Sequence, residues 1–203
     1  MKKIMGIIGI ALLLLVSCAS KPKVSYVESG SQTDISGYWN DSDVKRVCES
    51  LINDCLNSPR VSQAIAAMGG RTPMVLVGTF ANESSEHIDT AIITSTMEAA
   101  IFNSGKMDFV AGGKTREEIR AERQAQADLG YTSDNTLASM TNETGADFML
   151  TGTIRTIIQK EGNESIRTYF VNAEMTNMET TQRMWMQANS DIKKRIVRPK
   201  NKL

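Results

Sequence analysis

The last third of the chain limits its fold most strongly. Residues 148–158, 165–176 and 183–192 are three runs rich in β-branched, aromatic and other apolar residues. Lys160-Glu161-Gly162-Asn163 and Asn177-Met178-Glu179-Thr180 join them as turns, so the pattern predicts a three-stranded β-meander. Side chains alternate between the two faces of a strand. Phe148, Leu150 and Ile154 are therefore expected to share a face with Val171, Ala173, Met175, Met184 and Met186, and helices should cover it. The opposite face would hold Met149, Arg155, Ile157, Phe170 and Trp185.

The segments upstream supply that cover. Residues 41–58 form an amphipathic helix with Val44, Val47, Leu51, Ile52 and Leu56 on one stripe, announced by the capping residues Asn40-Asp41-Ser42-Asp43. Residues 74–80 are a continuous apolar strand of the kind buried on both faces of a sheet. Ile88, Ala91, Ile92, Ala99 and Phe102 recur at helical spacing, widened by Ile93, Met97 and Ile101, and Asn103-Ser104-Gly105 ends that helix. A short strand over 106–111, a charged surface helix over 115–129 and a short helix over 136–144 complete the pattern. The prediction is an α+β domain: a mixed sheet of about five strands with its helices mainly on one face.

The beginning of the chain speaks to its address. Lys2 and Lys3 precede an apolar run over residues 4–16, and Leu15-Val16-Ser17-Cys18 has the pattern of a lipobox. The run holds 13 residues, whereas a spanning helix needs about 20. Residues 1–17 are thus expected to be a signal peptide removed before Cys18, the lipid-attachment site, with Ala19 pointing to the outer membrane. Residues 18–37 read as a polar tether, 38–196 as one globular domain and 197–203 as a tail. Without the signal, 186 residues remain with 21 basic and 23 acidic side chains, a near-neutral surface with no nucleic-acid signature. Cys48 and Cys55 fall seven residues apart on one helix stripe. Two turns separate them by roughly 10 Å, beyond the ~7 Å limit for a disulfide. Two buried thiols are expected.

Catalytic and cofactor motifs fail on inspection. Gly112-Gly113-Lys114-Thr115 lies where a phosphate loop would, but Asp108 occupies the position of the loop's first glycine. His87 is the one histidine, which leaves neither a zinc set nor a convincing nucleophile and base. The acids at 41–43 lack the glycine and closing glutamate of a calcium loop and serve as helix caps. Glu117-Glu118 sits on a solvated helix face. The expectation is a protein with no catalytic residues, no metal and no cofactor.

Three motifs together resemble one family. Asp34-Ile35-Ser36-Gly37-Tyr38-Trp39-Asn40-Asp41-Ser42-Asp43 precedes the first helix, Gly78-Thr79-Phe80-Ala81-Asn82-Glu83-Ser84 follows the first strand, and Gly145-Ala146-Asp147-Phe148-Met149-Leu150-Thr151-Gly152 enters the meander. With Trp185 and Ile192-Lys193-Lys194 near the end, they are similar to the LpoB-type lipoproteins over roughly 34–195. The resemblance implies a TolB-N-terminal-like α/β fold and a non-catalytic partner of a bifunctional penicillin-binding protein, which builds peptidoglycan. A structural or assembly lipoprotein related to curli-secretion pore subunits is the alternative. From Cys18 to Trp39 the tether has about 21 residues, at most roughly 70 Å when extended. Arg155, Phe170 and Trp185, on the face expected to be wet, are the predicted central contacts for the synthase.

The lipobox generates a direct test. Cys18→Ala should release the protein from membranes or leave the precursor uncut. A processed, lipid-free Cys18→Ala protein that stayed in the membrane fraction would contradict the anchor.

Overall fold

In a computed structural model, which describes residues 25–26, 36–130 and 143–199, the first helix begins where Asn40 can cap it. The Asn40 side chain accepts a hydrogen bond from the Asp43 N–H at 3.0 Å, and the Asp43 carboxylate accepts one from the Asn40 N–H at 3.0 Å. This reciprocal box satisfies donors that a helix start leaves free. Helix α1 (Asp41–Asn57) then buries Val44, Val47, Cys48, Leu51, Ile52, Cys55 and Leu56 along one stripe, as the periodicity predicts. A second helix that the pattern did not reveal, α2 (Pro59–Ala66), follows with proline in its first turn, where no N–H is missed.

Strand β1 (Met74–Asn82), helix α3 (Thr90–Ser104) and strand β2 (Asp108–Phe109) form a parallel crossover, with Gly105 ending α3 in the left-handed conformation. Helix α4 (Gly113–Asp128) buries no residue, in keeping with a charged excursion. Strands β3 (Phe148–Glu161), β4 (Glu164–Asn177), β5 (Arg183–Asn189) and β6 (Lys193–Val197) complete the sheet. Its order is β2-β1-β3-β4-β5, and β6 also pairs with β4. β1 runs parallel to β2 and β3, while every contact of β4 is antiparallel. The architecture is the expected α+β domain, with a six-stranded mixed sheet. All these elements fall in the unit formed by residues 32–203.

The core lies between the sheet and helices α1 and α3. Phe148, Leu150, Ile154, Val171, Ala173 and Met175 all point into it, as alternation from the sequence predicts. A close approach explains Gly152: a Cβ there would overlap the Phe80 ring and the Asn172 carbonyl. Phe80, buried and paired in register with Gly152, fills that space instead.

Four expectations need correction. On α3, Ala91, Ile92, Ala99 and Phe102, read as the main stripe, are exposed, and Ile93, Met97 and Ile101 are the buried residues. Residues 183–192 do not form one strand. The Asn189 side chain accepts from the Asp191 N–H at 3.1 Å, a local turn that interrupts the ladder and restarts it as β6. The alternation assigned to this segment is also inverted. Trp185 pairs with Met175 on the inner face and is only 7% exposed, whereas Met186 points outward at 63%. A register shift between Met175 and Thr176 moves the parity, and a one-residue slip exchanges the faces of a strand. Finally, the strand expected over 106–111 shrinks to two residues. The helix expected over 136–144 lies outside the described residues as far as 142, and Glu143 and Thr144 are not helical. The signal over 1–17, Cys18 and most of the tether also lie outside them.

Cys48 and Cys55 are free and buried, with the Cys48 thiol 3.9 Å from the Ile93 carbonyl and the Cys55 thiol 4.0 Å from the Met175 sulfur. Burial pushes each thiol up to about 12, helped by Glu49 for Cys48 and Asp54 for Cys55. Because the thiolate is the reactive form, native protein at pH 8 should resist a thiol reagent and release two equivalents on denaturation. Fast labelling of either cysteine in the native state would show that α1 does not pack as described.

Candidate functional site

Two features stand out once the fold is in place: a buried polar network at one end of the inner face, and an uncovered outer face. The network begins with the segment before α1. Gly37 adopts a φ of +68°, and a Cβ there would lie 2.6 Å from Ile196 of β6, so only glycine lets the chain pass this close. Tyr38 and Trp39 then lie over the far half of the sheet. The Trp39 ring packs 5.1 Å from the Tyr169 ring, and the Arg167 guanidinium sits 4.3 Å from the centre of the Tyr38 ring.

Glu86, in the loop after β1, is the hub. It accepts from the Tyr169 hydroxyl at 2.8 and 2.9 Å and from the Trp39 N–H at 3.3 Å, and Arg167 ion-pairs with it at 2.9 Å. The paired side chains are 12% exposed for Arg167 and 8% for Glu86. Burial opposes the Arg167 charge more than any single neighbour supports it. Tyr169, Glu86 and Tyr38 together still hold its pKa above the ordinary value. Burial, then the Glu86 carboxylate, pushes the Tyr169 phenol well up. Beside this group, Lys194 of β6 donates to the Tyr38 carbonyl at 2.7 Å and pairs with Asp43 of the capping box at 2.5 Å.

The other family-like motifs play similar fastening roles. Asp147 accepts two hydrogen bonds from Arg71, at 2.9 and 2.7 Å, and one from the Met74 N–H at 2.8 Å, joining the starts of β1 and β3. The Arg71 bonds come first among the causes that hold its carboxyl below the usual range. Asn82 donates to the Glu86 carbonyl at 2.7 Å, which fixes the loop that carries the hub.

The outer face has a different character. Arg155 and Phe170 are direct register partners on it, with Arg155 exposed and Phe170 half-buried. Ile157 at 54% and Met186 at 63% exposure share this face. Arg155 pairs with Glu83 at 2.6 Å across an exposed gap. Trp185, the third expected contact, is not here. Its indole N–H donates to Asp54 of α1 at 2.6 Å, which makes it a fastener between helix and sheet. Sequence reasoning missed Met186, which the inverted alternation had hidden. His87 is exposed, and no group of three or more metal-ligating side chains occurs among the described residues.

These features define a two-layer α+β domain with a fastened inner face and an open outer one. The family model described as peptidoglycan-synthase activator LpoB matches residues 43–190, and the chain belongs to that family. It is accordingly an activator of a peptidoglycan synthase and not itself an enzyme. No curated protein matches the chain. Among solved structures, the LpoB C-terminal domain from Salmonella enterica is 16% identical, with 73% of this chain and 97% of that one covered and a TM-score of 0.43. The LpoB C-terminal domain from Escherichia coli is 16% identical over 77% of this chain and 99% of that one, with a TM-score of 0.42.

Buried and surface pairs should separate sharply in stability. Glu86→Ala leaves Arg167 buried without its carboxylate and should cost about 3–5 kcal/mol. Glu164→Ala removes the exposed pair with Arg195, 2.6 Å long, and should cost under about 1 kcal/mol. Urea unfolding measures both; equal losses would mean that the network does not fasten the segment before α1.

Proposed function

We propose that the chain is a lipid-anchored, periplasm-facing lipoprotein of the outer membrane that binds a bifunctional penicillin-binding protein and stimulates it without catalysing a step. The observation that carries this reading is the family match over residues 43–190, which takes in the sheet and its helices together. The lipobox at Cys18 supports the anchor, and its lipid would hold the chain on a membrane surface. No helix among the described residues is long and apolar enough to cross a membrane. A tether of about 21 residues keeps the start of the domain within roughly 70 Å of its anchor. The family match favours activation over the role of a secretion-pore subunit.

The outer sheet face is the proposed contact, with Phe170 and Arg155 central and Ile157 and Met186 beside them. Its combination of an aromatic ring, an arginine, and aliphatic and thioether side chains is typical of energetic centres in interfaces. Because the Arg155–Glu83 pair is exposed on both sides, its own contribution to stability is small. Arg155 is free to change partners on binding.

Arg155→Ala and Phe170→Ala should each weaken binding to the purified synthase by about 1–3 kcal/mol. Stimulation of glycan polymerisation should fall in parallel, with little change in the melting temperature of the Arg155 variant. Two folded variants that bind and stimulate like the parent would place the interface elsewhere.

A further inference from the structure

Strand β1 has nine residues, but its neighbour β2 has only two. β2 pairs with Met74 and Val75, after which the Val110 N–H donates to the Val75 carbonyl at 3.1 Å and the ladder ends. On the other edge, the Asp147 N–H donates to the Met74 carbonyl at 2.7 Å. Alternation along the strand then turns the main-chain groups of Val75 and Val77 toward the β2 side. The irregularity between Val77 and Phe80 returns Phe80 to the same edge. Past Val75, this edge meets no strand among the described residues.

A groove of about 1050 Å³ occupies the space that a longer β2 would fill. One wall is a face of α3, where Ala91 leaves room and Phe102 is 65% exposed, and Phe109 begins the other. α3 buries the side with Ile93, Met97 and Ile101, and the side it turns to the groove mixes Ala91, Ala99 and Phe102 with Thr90, Thr94 and Ser95. Glu98 is the one charged side chain among the described residues that line the groove. It has no ion pair or hydrogen-bond partner among the described residues, and burial raises its pKa. An open strand edge, the exposed Phe102 ring opposite Phe109 and an unanswered carboxylate thus converge on one channel.

We propose that this groove binds an extended, basic segment of a partner protein, which adds as a strand along the edge at Val77 and Phe80. An apolar side chain of the segment rests between Phe102 and Phe109, and a lysine or arginine answers Glu98. Strand addition supplies the main-chain hydrogen bonds, and the pockets for alternate side chains select the sequence. The charge complementarity sets the choice of occupant: an acidic segment would bring like charges together in a partly desolvated site. None of Arg155, Ile157, Phe170 and Met186 lines this groove, and its test does not depend on the synthase.

The probe is an acetylated, amidated heptapeptide, Thr-Val-Thr-Lys-Thr-Val-Thr, added to the detergent-solubilised full chain and followed by backbone amide NMR and by fluorescence anisotropy of a labelled copy. The lysine peptide should bind and shift the Val77 and Phe80 amides. Replacing its lysine with glutamate, or N-methylating the amides on one edge, should each weaken binding at least tenfold. Glu98→Lys should reverse the preference for lysine over glutamate, and Glu98→Gln should abolish it while leaving the amide spectrum otherwise intact. Absence of binding at millimolar peptide, indifference to N-methylation and to Glu98, or shifts confined to the Phe170 face would each overturn the proposal. So would self-association of the chain through this edge, which would make the occupant a second copy.

Discussion

The buried Glu86 carboxylate holds together parts of the chain that lie far apart in sequence. It gathers the loop after β1, the segment before α1 through the Trp39 N–H, and β4 through Arg167 and Tyr169. Helices α1 and α3 cover only the half of the inner face that carries Leu150, Val171 and Met175. Farther toward Gly162, the Trp39 ring packs on Tyr169 and the Tyr38 ring lies against Arg167, and the network keeps them there. A charge in such a place is costly unless its partners are fixed, so the arrangement selects one path for the chain more than it adds stability. Lys194 and Asp43 extend the same logic to the cap of α1.

Much of this was legible in the sequence. The capping residues and the stripe of α1, the apolar run of β1 and the two long strands of the meander carry their periodicity openly, because local pattern and tertiary burial agree there. Trp185 failed where they disagree. Its neighbours Met184 and Met186 are as apolar as it is, so composition did not fix the parity, and the shift at Met175 came from pairing that no single strand encodes. The break at Asn189 was hidden for a related reason: its side chain acts on Asp191 only once the chain turns. α3 misled in another way: Ala91, Ile92, Ala99 and Phe102, read as its main stripe, are exposed, and Ile93, Met97 and Ile101, read as widening that stripe, are the residues it buries.

The candidate site was half visible. Arg155 and Phe170 stand out as an arginine and an aromatic on the face away from the core, and the register places them side by side. The fasteners were visible only as motifs. Asp147 looked like part of a family signature, and its bonds to Arg71 and the Met74 N–H give that signature a physical reason. Glu86 had no signal at all, because its partners Trp39, Arg167 and Tyr169 all lie far from it in sequence.

The division of labour between a fastened inner face and an open outer one is the central claim, and methyl cross-saturation tests it most directly. With methyl-labelled, deuterated chain bound to protonated synthase, saturation should reach the Ile157 and Met186 methyls and leave the buried Ile154 and Met175 methyls untouched. Saturation that spared Ile157 and Met186 and fell elsewhere on the domain would contradict the account.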